Sequence, residues 1–508
     1  MKIRILITMA IWLPAVYLRL RMKDNQTALT CRDILLLLLI AVGALIVHGY
    51  HPAAEDAEIY LPGIKKILNP SLYPVGSEFF LSHARMTLFP NLIAWSIRLS
   101  HVPLDYALLF WHLLSIFLVL LACRRLSRQC FSCPRAYWGG VLAVAALLTI
   151  PVAGTSLYIM DQYLSSRSLS TPAILFAMAG TLERKFVRAA LWILFAAMVH
   201  PLMAIFGVSY LICLILTTYC RQRGASAFLP LFFGFFSPAS DAYRKVLSTH
   251  SYFFILRWEW YEWVGILAPL ALLWWFTLIG RKYALPVLES ASRALVLFGV
   301  FFFVTALVLT VPARFEPLAE LQPMRSLHLL YVLLFLFAGG IVGQFLLKNV
   351  LWRWLFLFAP LCMGMCFVQF RLFPASFHIE WPGVPPQNPW LQAFDWIRLN
   401  TPQNSLFALD PNHMDIPGED EHGFRALAER SMLADDVKDS GAVSMFPALA
   451  EEWLTQVQAL GGWQNFQRED FRKLKKRFGV SWVVLQRPGV AGLSCPYQNS
   501  LLLVCRID

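Results

Sequence analysis

Over its first 370 residues the chain alternates long apolar runs with short polar turns, and beyond that point the pattern changes. Eleven apolar runs stand out: 34–50, 104–122, 137–152, 173–182, 189–199, 202–219, 225–236, 264–280, 294–311, 327–347 and 354–370. Several approach the ~20 residues that cross a bilayer. Every second turn is basic, as at Arg124, Arg125, Arg128 and Arg135, at Arg184, Lys185 and Arg188, at Arg281 and Lys282, and at Lys348 and Arg353. Lys and Arg mark cytoplasmic turns, so the alternation predicts about eleven transmembrane helices with a consistent orientation. Residues 1–33 form a cytoplasmic or interfacial lead-in. Its apolar stretch 5–18 is short, contains Pro14 and runs into Arg19, Arg21 and Lys23 rather than a small-residue cleavage site.

Residues 34–370 therefore read as a membrane domain, with a large first external loop at 51–103. The loop is amphipathic. EDAEIYLPGIKKIL interleaves apolar and charged positions as an interfacial helix does, and a second such helix is broken near Pro90. In the middle of the domain the runs 173–182 and 189–199 are short, and His200-Pro201 interrupts the next. Short or interrupted segments of this kind flank cavities.

Residues 371–508 lose the apolar runs. FRALAERSML, PALAEEWLTQVQAL and EDFRKLKKRFG have helical periodicity, while SLFALD, VSWVVLQR and LLLVCRI read as strands. The predicted fold class is thus mainly α: a polytopic helical membrane domain carrying a C-terminal extracytoplasmic α/β domain. Cys495 and Cys505 flank a hairpin around Asn499-Ser500, as a disulfide outside the cytosol or as two core thiols.

Composition agrees, with 58% hydrophobic and 15% charged residues. The net charge of +12 follows from cytoplasmic turns and does not point to nucleic acid. Cys130 and Cys133 form a lone CxxC with no second pair at zinc spacing. No GxSxG elbow or HExxH is present, which argues against a hydrolase.

The candidate chemistry sits at the external edge. Immediately after the first run come His51, Glu55, Asp56 and Glu58. Helical spacing puts Glu55 and Glu58 on one face, and carboxylates at a membrane edge need a partner or a task. External arginines are unexpected, and their planar forks suit phosphate. Arg167 in the serine-rich DQYLSSRSLSTP, Arg85 with His83, and Arg325 are the candidate anion clamps. Trp258 and Trp260 in RWEWYEW either stack on a sugar or belong to an interfacial aromatic belt.

An acidic first external loop, many spans with short broken helices and a C-terminal external α/β domain together resemble the GT-C superfamily of glycosyltransferases. The resemblance covers most of the chain in layout, and its one tight motif is Glu55-Asp56. It implies transfer of a hexose or pentose from a polyprenyl-phosphate-linked donor to a glycan, lipid or protein acceptor. Asp56, with Glu55, would be the base, or Asp56 would ligate a divalent cation such as Mg or Mn, as in some branches. Glu in place of the first Asp departs from branches with a strict Asp-Asp pair. The membrane implied is a cell inner or plasma membrane. Two rivals remain: a non-catalytic scaffold, in which the loop acids are dispensable, and a lipid-linked glycan transporter. A transporter predicts charges buried within spans and an internal repeat, and neither is seen in the sequence.

Overall fold

The computed structural model describes residues 29–219, 240–310 and 313–508. The expected N-terminal interfacial segment and the run 225–236 lie outside the described residues. Among the described residues seven helices, not eleven, are long and apolar enough to cross a membrane. They are Cys31–His48, Leu104–Cys130, Pro201–Thr218, Trp260–Lys282, Pro286–Thr310, Leu318–Leu347 and Leu351–Leu372.

The shortfall has a packing cause. The run 137–152 becomes the helix Pro134–Ala146, buried on all sides from Ala136 onward. It lies against Leu327–Val342 at glycine contacts: a Cβ on Gly139 would meet the Gly339 carbonyl oxygen at 2.4 Å. Small residues allow such close approach of helices. After Ala146 the chain continues as an irregular, partly buried segment with a two-stranded hairpin, β1 (Pro151–Val152) and β2 (Leu157–Tyr158). The run 173–182 is the end of a longer helix, Ser166–Leu182, that is enclosed by its neighbours. Ser165 caps it in a reciprocal box with Ser168. Phe186–Val199 is apolar but only 14 residues long.

The basic turns converge at one end of the bundle. Arg124 reaches Asp33 at 3.7 Å, Arg125 reaches Glu183 at 2.6 Å and Arg281 reaches Glu289 at 3.4 Å. At the other end the first loop folds into three helices, Ala57–Leu68, Glu78–Arg85 and Phe89–Ser100.

The C-terminal region is a mixed five-stranded sheet in the order β4-β3-β5-β7-β6. Its strands are β3 (Leu406–Ala408), β4 (Ser431–Met432), β5 (Trp482–Gln486), β6 (Ser494–Gln498) and β7 (Leu502–Arg506). β3 pairs in parallel with β4 and β5, and β7 runs antiparallel to β5 and β6. The expected hairpin at Asn499-Ser500 joins β6 to β7, and a disulfide links Cys495 to Cys505 across it. Two of the expected amphipathic helices form, at Ala450–Ala459 and Arg468–Phe478, but FRALAERSML is helical only over Phe424–Ala428: Glu429 caps it at φ +53°, and Ser431–Met432 joins the sheet as β4. Gly479 ends the last one with φ +81°, a left-handed cap for which glycine carries no Cβ penalty.

This region is clamped onto the first loop. The Tyr50 N–H donates to the His378 carbonyl at 3.0 Å, and the Glu380 N–H donates to the Tyr50 carbonyl at 2.9 Å. Ala54 bridges His422. Glu58, fully buried, accepts from the backbone N–H groups of Arg425 at 3.0 Å and Ala426 at 2.8 Å. Arg425, also buried, pairs in turn with Asp439 at 2.7 Å. First loop and C-terminal domain therefore lie together at the end of the bundle away from the basic turns.

Candidate functional site

The helix after the first span begins at Ala57, not at Glu55, and this separates the three acids. Glu55 takes φ +55°, a left-handed conformation uncommon outside glycine. Its N–H donates to the Glu421 carbonyl at 2.7 Å. Asp56 stands at the N-cap with its own N–H donating to the Tyr163 hydroxyl oxygen at 3.3 Å. Glu58, expected on the same face as Glu55, turns away into the C-terminal domain as described above.

Asp56 is the centre of a charge cluster. One carboxylate oxygen faces Lys438 Nζ at 3.4 Å, and the other faces both terminal nitrogens of Arg167 at 3.4 Å. Arg167 is held from behind by Asp161, whose two oxygens each lie 3.0 Å from Nη2. Ser165 donates to the same Asp161 at 2.7 Å. Lys438 also pairs with Glu55. Burial by itself raises a carboxyl pKa, but Lys438, Arg167 and Arg325 outweigh it and hold Asp56 far below the ordinary range. Glu421 goes the other way, pushed up to about 9 by burial and by the hydrogen bond it shares with Glu55. Burial, with Arg167 and Arg325 opposing a positive charge, pushes His83 down to about 4.

Two cavities meet at this cluster, about 310 Å³ and about 970 Å³ in volume. They share Asp56, Ile59, Arg167, Tyr252, Arg325 and Gly441. The Asp56 side chain keeps 30% of its surface open, and that surface faces these cavities. The smaller cavity adds His83, His200 and Tyr60 on one side and Met86, Leu202, Ile205 and Leu321 on the other. Met86, Ile205 and Leu321 are also exposed on the outside of the bundle, so this cavity has an apolar flank reaching its surface. The larger cavity is walled by the β1–β2 hairpin, Tyr158, Tyr163 and Tyr261, and by Asn412, Asp415, Asp436 and Lys438 of the C-terminal domain. Arg325 lies over the Tyr252 ring, 5.2 Å from its centroid.

The structure thus brings together Asp56, Glu55, Arg167, His83 and Arg325, which the sequence singled out. It places three others elsewhere. Arg85 is exposed and pairs with Glu78 at 3.0 Å. Trp258 is buried against Gly154, where a Cβ would meet its ring at 2.3 Å. Trp260 is 75% exposed on the outer surface, stacked edge-on against Tyr261. Tyrosines rather than tryptophans face the cavities. Lys438, Tyr163, Tyr252 and His200 were not anticipated as site residues. His200 had a signal, the His-Pro break between two apolar runs. Lys438 had none, because it arrives from 382 residues away.

No protein-family model matches the chain, and no curated protein is significantly similar to it.

Proposed function

We propose that the protein is a membrane glycosyltransferase that takes a sugar from a polyprenyl-phosphate-linked donor. The observation that carries this reading is the placement of Asp56, Arg167 and Arg325 on the wall common to two cavities. One cavity has a cationic head and an apolar flank, which suits a phosphate joined to a hydrocarbon tail. The other is wide and polar, which suits an acceptor reaching in past the C-terminal domain.

In this reading the acceptor hydroxyl oxygen attacks the anomeric carbon from the larger cavity. The bond from that carbon to the phosphate oxygen breaks, and the electron pair leaves with the phosphate. Asp56 takes the hydroxyl proton. Arg167 and Arg325 hold the growing phosphate charge, the electrostatic part of the catalysis. A carboxylate as depressed as Asp56 is a weak base. Two of the groups that depress it, Arg167 and Arg325, line the donor cavity, where a phosphate would draw them toward itself; Lys438 stays on the acceptor side. Donor binding then relaxes the clamp on Asp56 and raises its basicity at the moment it is needed.

A divalent cation at Asp56 does not fit this cluster. Both Asp56 oxygens already face cations, and the nearest carboxylates, Glu55 and Asp161, are engaged by Lys438 and Arg167. An ion there would stand against two fixed positive charges, so no step is routed through one. Added Mg2+ or Mn2+ is expected to leave turnover unchanged.

The reading also puts the first loop and the C-terminal domain outside the cytoplasm, in a cell inner or plasma membrane, because the basic turns gather at the opposite end. Its direct test is binding of a polyprenyl monophosphate to the detergent-purified protein, followed by native mass spectrometry. Binding that the wild type shows and Arg325→Ala loses supports the reading. A wild type that never retains the lipid favours a non-catalytic scaffold.

A further inference from the structure

A second polar cluster stands beside the site and takes no part in the mechanism above. We infer that His51, Glu380 and His422 form a binding site for one divalent transition-metal ion of the zinc class. This ion ties the first loop to the C-terminal domain. The inference does not depend on the glycosyltransferase reading.

His51 follows the first span, Glu380 follows the last, and His422 belongs to the C-terminal domain. His51 Nδ1 lies 2.9 Å from Glu380 Oε1, and His422 Nε2 lies 2.8 Å from the same oxygen. The three ligand atoms all fall within 4.8 Å of one another, and both imidazoles are fully buried. Two imidazoles and a carboxylate are a familiar donor set for zinc, with the remaining position left to water. Tetrahedral zinc with bonds of ~2.0 Å spaces its ligand atoms by about 3.3 Å, so the Glu380 oxygen would withdraw from each nitrogen by about 0.5 Å and the two nitrogens, within 4.8 Å of each other, would adjust around the ion.

Hydrogen bonding favours a cation here. His422 Nδ1 lies 3.2 Å from the Glu419 carbonyl oxygen and can only donate to it. In the neutral ring Nε2 then carries a lone pair, and that lone pair points at a carboxylate oxygen. A positive charge must lie between them, as a proton or as a metal. A ligating histidine whose other nitrogen donates to a backbone carbonyl is the usual outer-shell arrangement at metal sites. One oxygen of Glu419, one of Asp420 and the Nε2 of His51 are buried there without partners, so the cluster's polar atoms are not all satisfied by protein groups. Among the described residues no Lys or Arg pairs with Glu380, Glu419 or Asp420. The Phe373 ring stacks on His51 with centroids 3.7 Å apart and closes the cluster on that side.

The location gives the ion a positioning task. His422 bridges Ala54, and its neighbour Glu421 receives the Glu55 N–H. Fixing His51 to His422 therefore fixes the backbone that presents Glu55 and Asp56.

The test uses full-length protein in detergent, purified through a tag without histidine, with metal content measured by mass spectrometry. About one zinc per chain is expected. Chelation should lower the thermal midpoint, since an ion that binds only the folded chain stabilises it, and added Zn2+ should restore it. His422→Ala and Glu380→Gln should lose the zinc, whereas Asp56→Asn should keep it. If the histidine variant does not fold, cobalt loaded into the wild type should give the visible absorption of a low-coordinate site. A metal-free wild type whose melting ignores both chelator and Zn2+ overturns the inference. So does a cobalt-loaded wild type without such absorption, or zinc lost from Asp56→Asn.

Discussion

Asp56→Asn separates a chemical role from a structural one, because the amide keeps the shape of the side chain and loses only its charge and basicity. The backbone contact survives: it is the Asp56 N–H that meets Tyr163, not the carboxylate. At 3.4 Å and an effective dielectric of ~20, each of the two ion pairs is worth about 5 kcal/mol before desolvation is subtracted. Little of that should appear as lost stability. Arg167 retains Asp161 at 3.0 Å, and Lys438 retains Glu55. The amide oxygen can still accept from one of the two cations. The expected stability loss is about 1.5–3 kcal/mol at most, the scale of one hydrogen bond to a charged group. Turnover should fall by about 10²–10⁴-fold, the usual cost of removing a general base, or roughly 2.7–5.4 kcal/mol in the barrier. Glu58→Gln is the contrasting case. Glu58 accepts two backbone N–H groups, and an amide presents its NH2 to one of them. Leaving a buried N–H without its acceptor costs about 1–3 kcal/mol, and the amide NH2 pressed against it adds to that, so this variant should lose expression while the folded fraction keeps its turnover. The assay is glycolipid profiling in cells lacking the native copy, complemented with each variant, alongside thermal unfolding of the purified proteins. An Asp56→Asn protein that restores the full profile would falsify the base assignment. An Asp56→Asn protein that melts as early as Glu58→Gln would make Asp56 a structural residue.

Arg167→Lys keeps the charge but cannot reach Asp56 and Asp161 together; transfer should drop about tenfold or more, the worth of one charge-assisted hydrogen bond, and unchanged turnover removes Arg167 from the phosphate site. Glu421 sets an alkaline limit. Its carboxyl holds a proton up to about pH 9 and shares it with Glu55, so turnover should fall as pH passes that value. Glu421→Gln, which keeps a donor, should abolish that limb, and an identical limb in the variant counts against the assignment. The sign for stability follows from the same proton. The folded chain holds it while the unfolded chain releases it above its ordinary value of 4.5, so this group's contribution declines as pH rises from there toward 9. For orientation, an impermeant maleimide applied to intact cells should label Lys473→Cys above background and spare Lys185→Cys; the opposite result inverts the topology.

The one-dimensional pattern was enough to fix the apolar and amphipathic elements and the basic turns. Each of those depends on a local period or a local charge count. The same holds for the Asn499-Ser500 hairpin, the helix closed by Gly479 and the acids placed directly after the first span. Among the described residues fewer apolar runs than expected are long spanning helices, because hydropathy cannot tell lipid from protein as the surroundings of an apolar helix. Pro134–Ala146 and Ser166–Leu182 are apolar because neighbouring helices enclose them. The division of labour among Glu55, Asp56 and Glu58 was also a tertiary matter. A helix one turn longer at its start would have aligned Glu55 with Glu58. Pairing of Ala54 with His422 and of Glu55 with Glu421 instead imposes a left-handed residue and splits the three acids between the cavity and the domain interface. Lys438 meets Asp56 across 382 residues, His51 meets Glu380 across 329, and Glu58 meets Arg425 across 367. Such contacts leave no local period in the chain, because each partner is spaced only for the element it belongs to, and the packing of those elements decides which side chains meet.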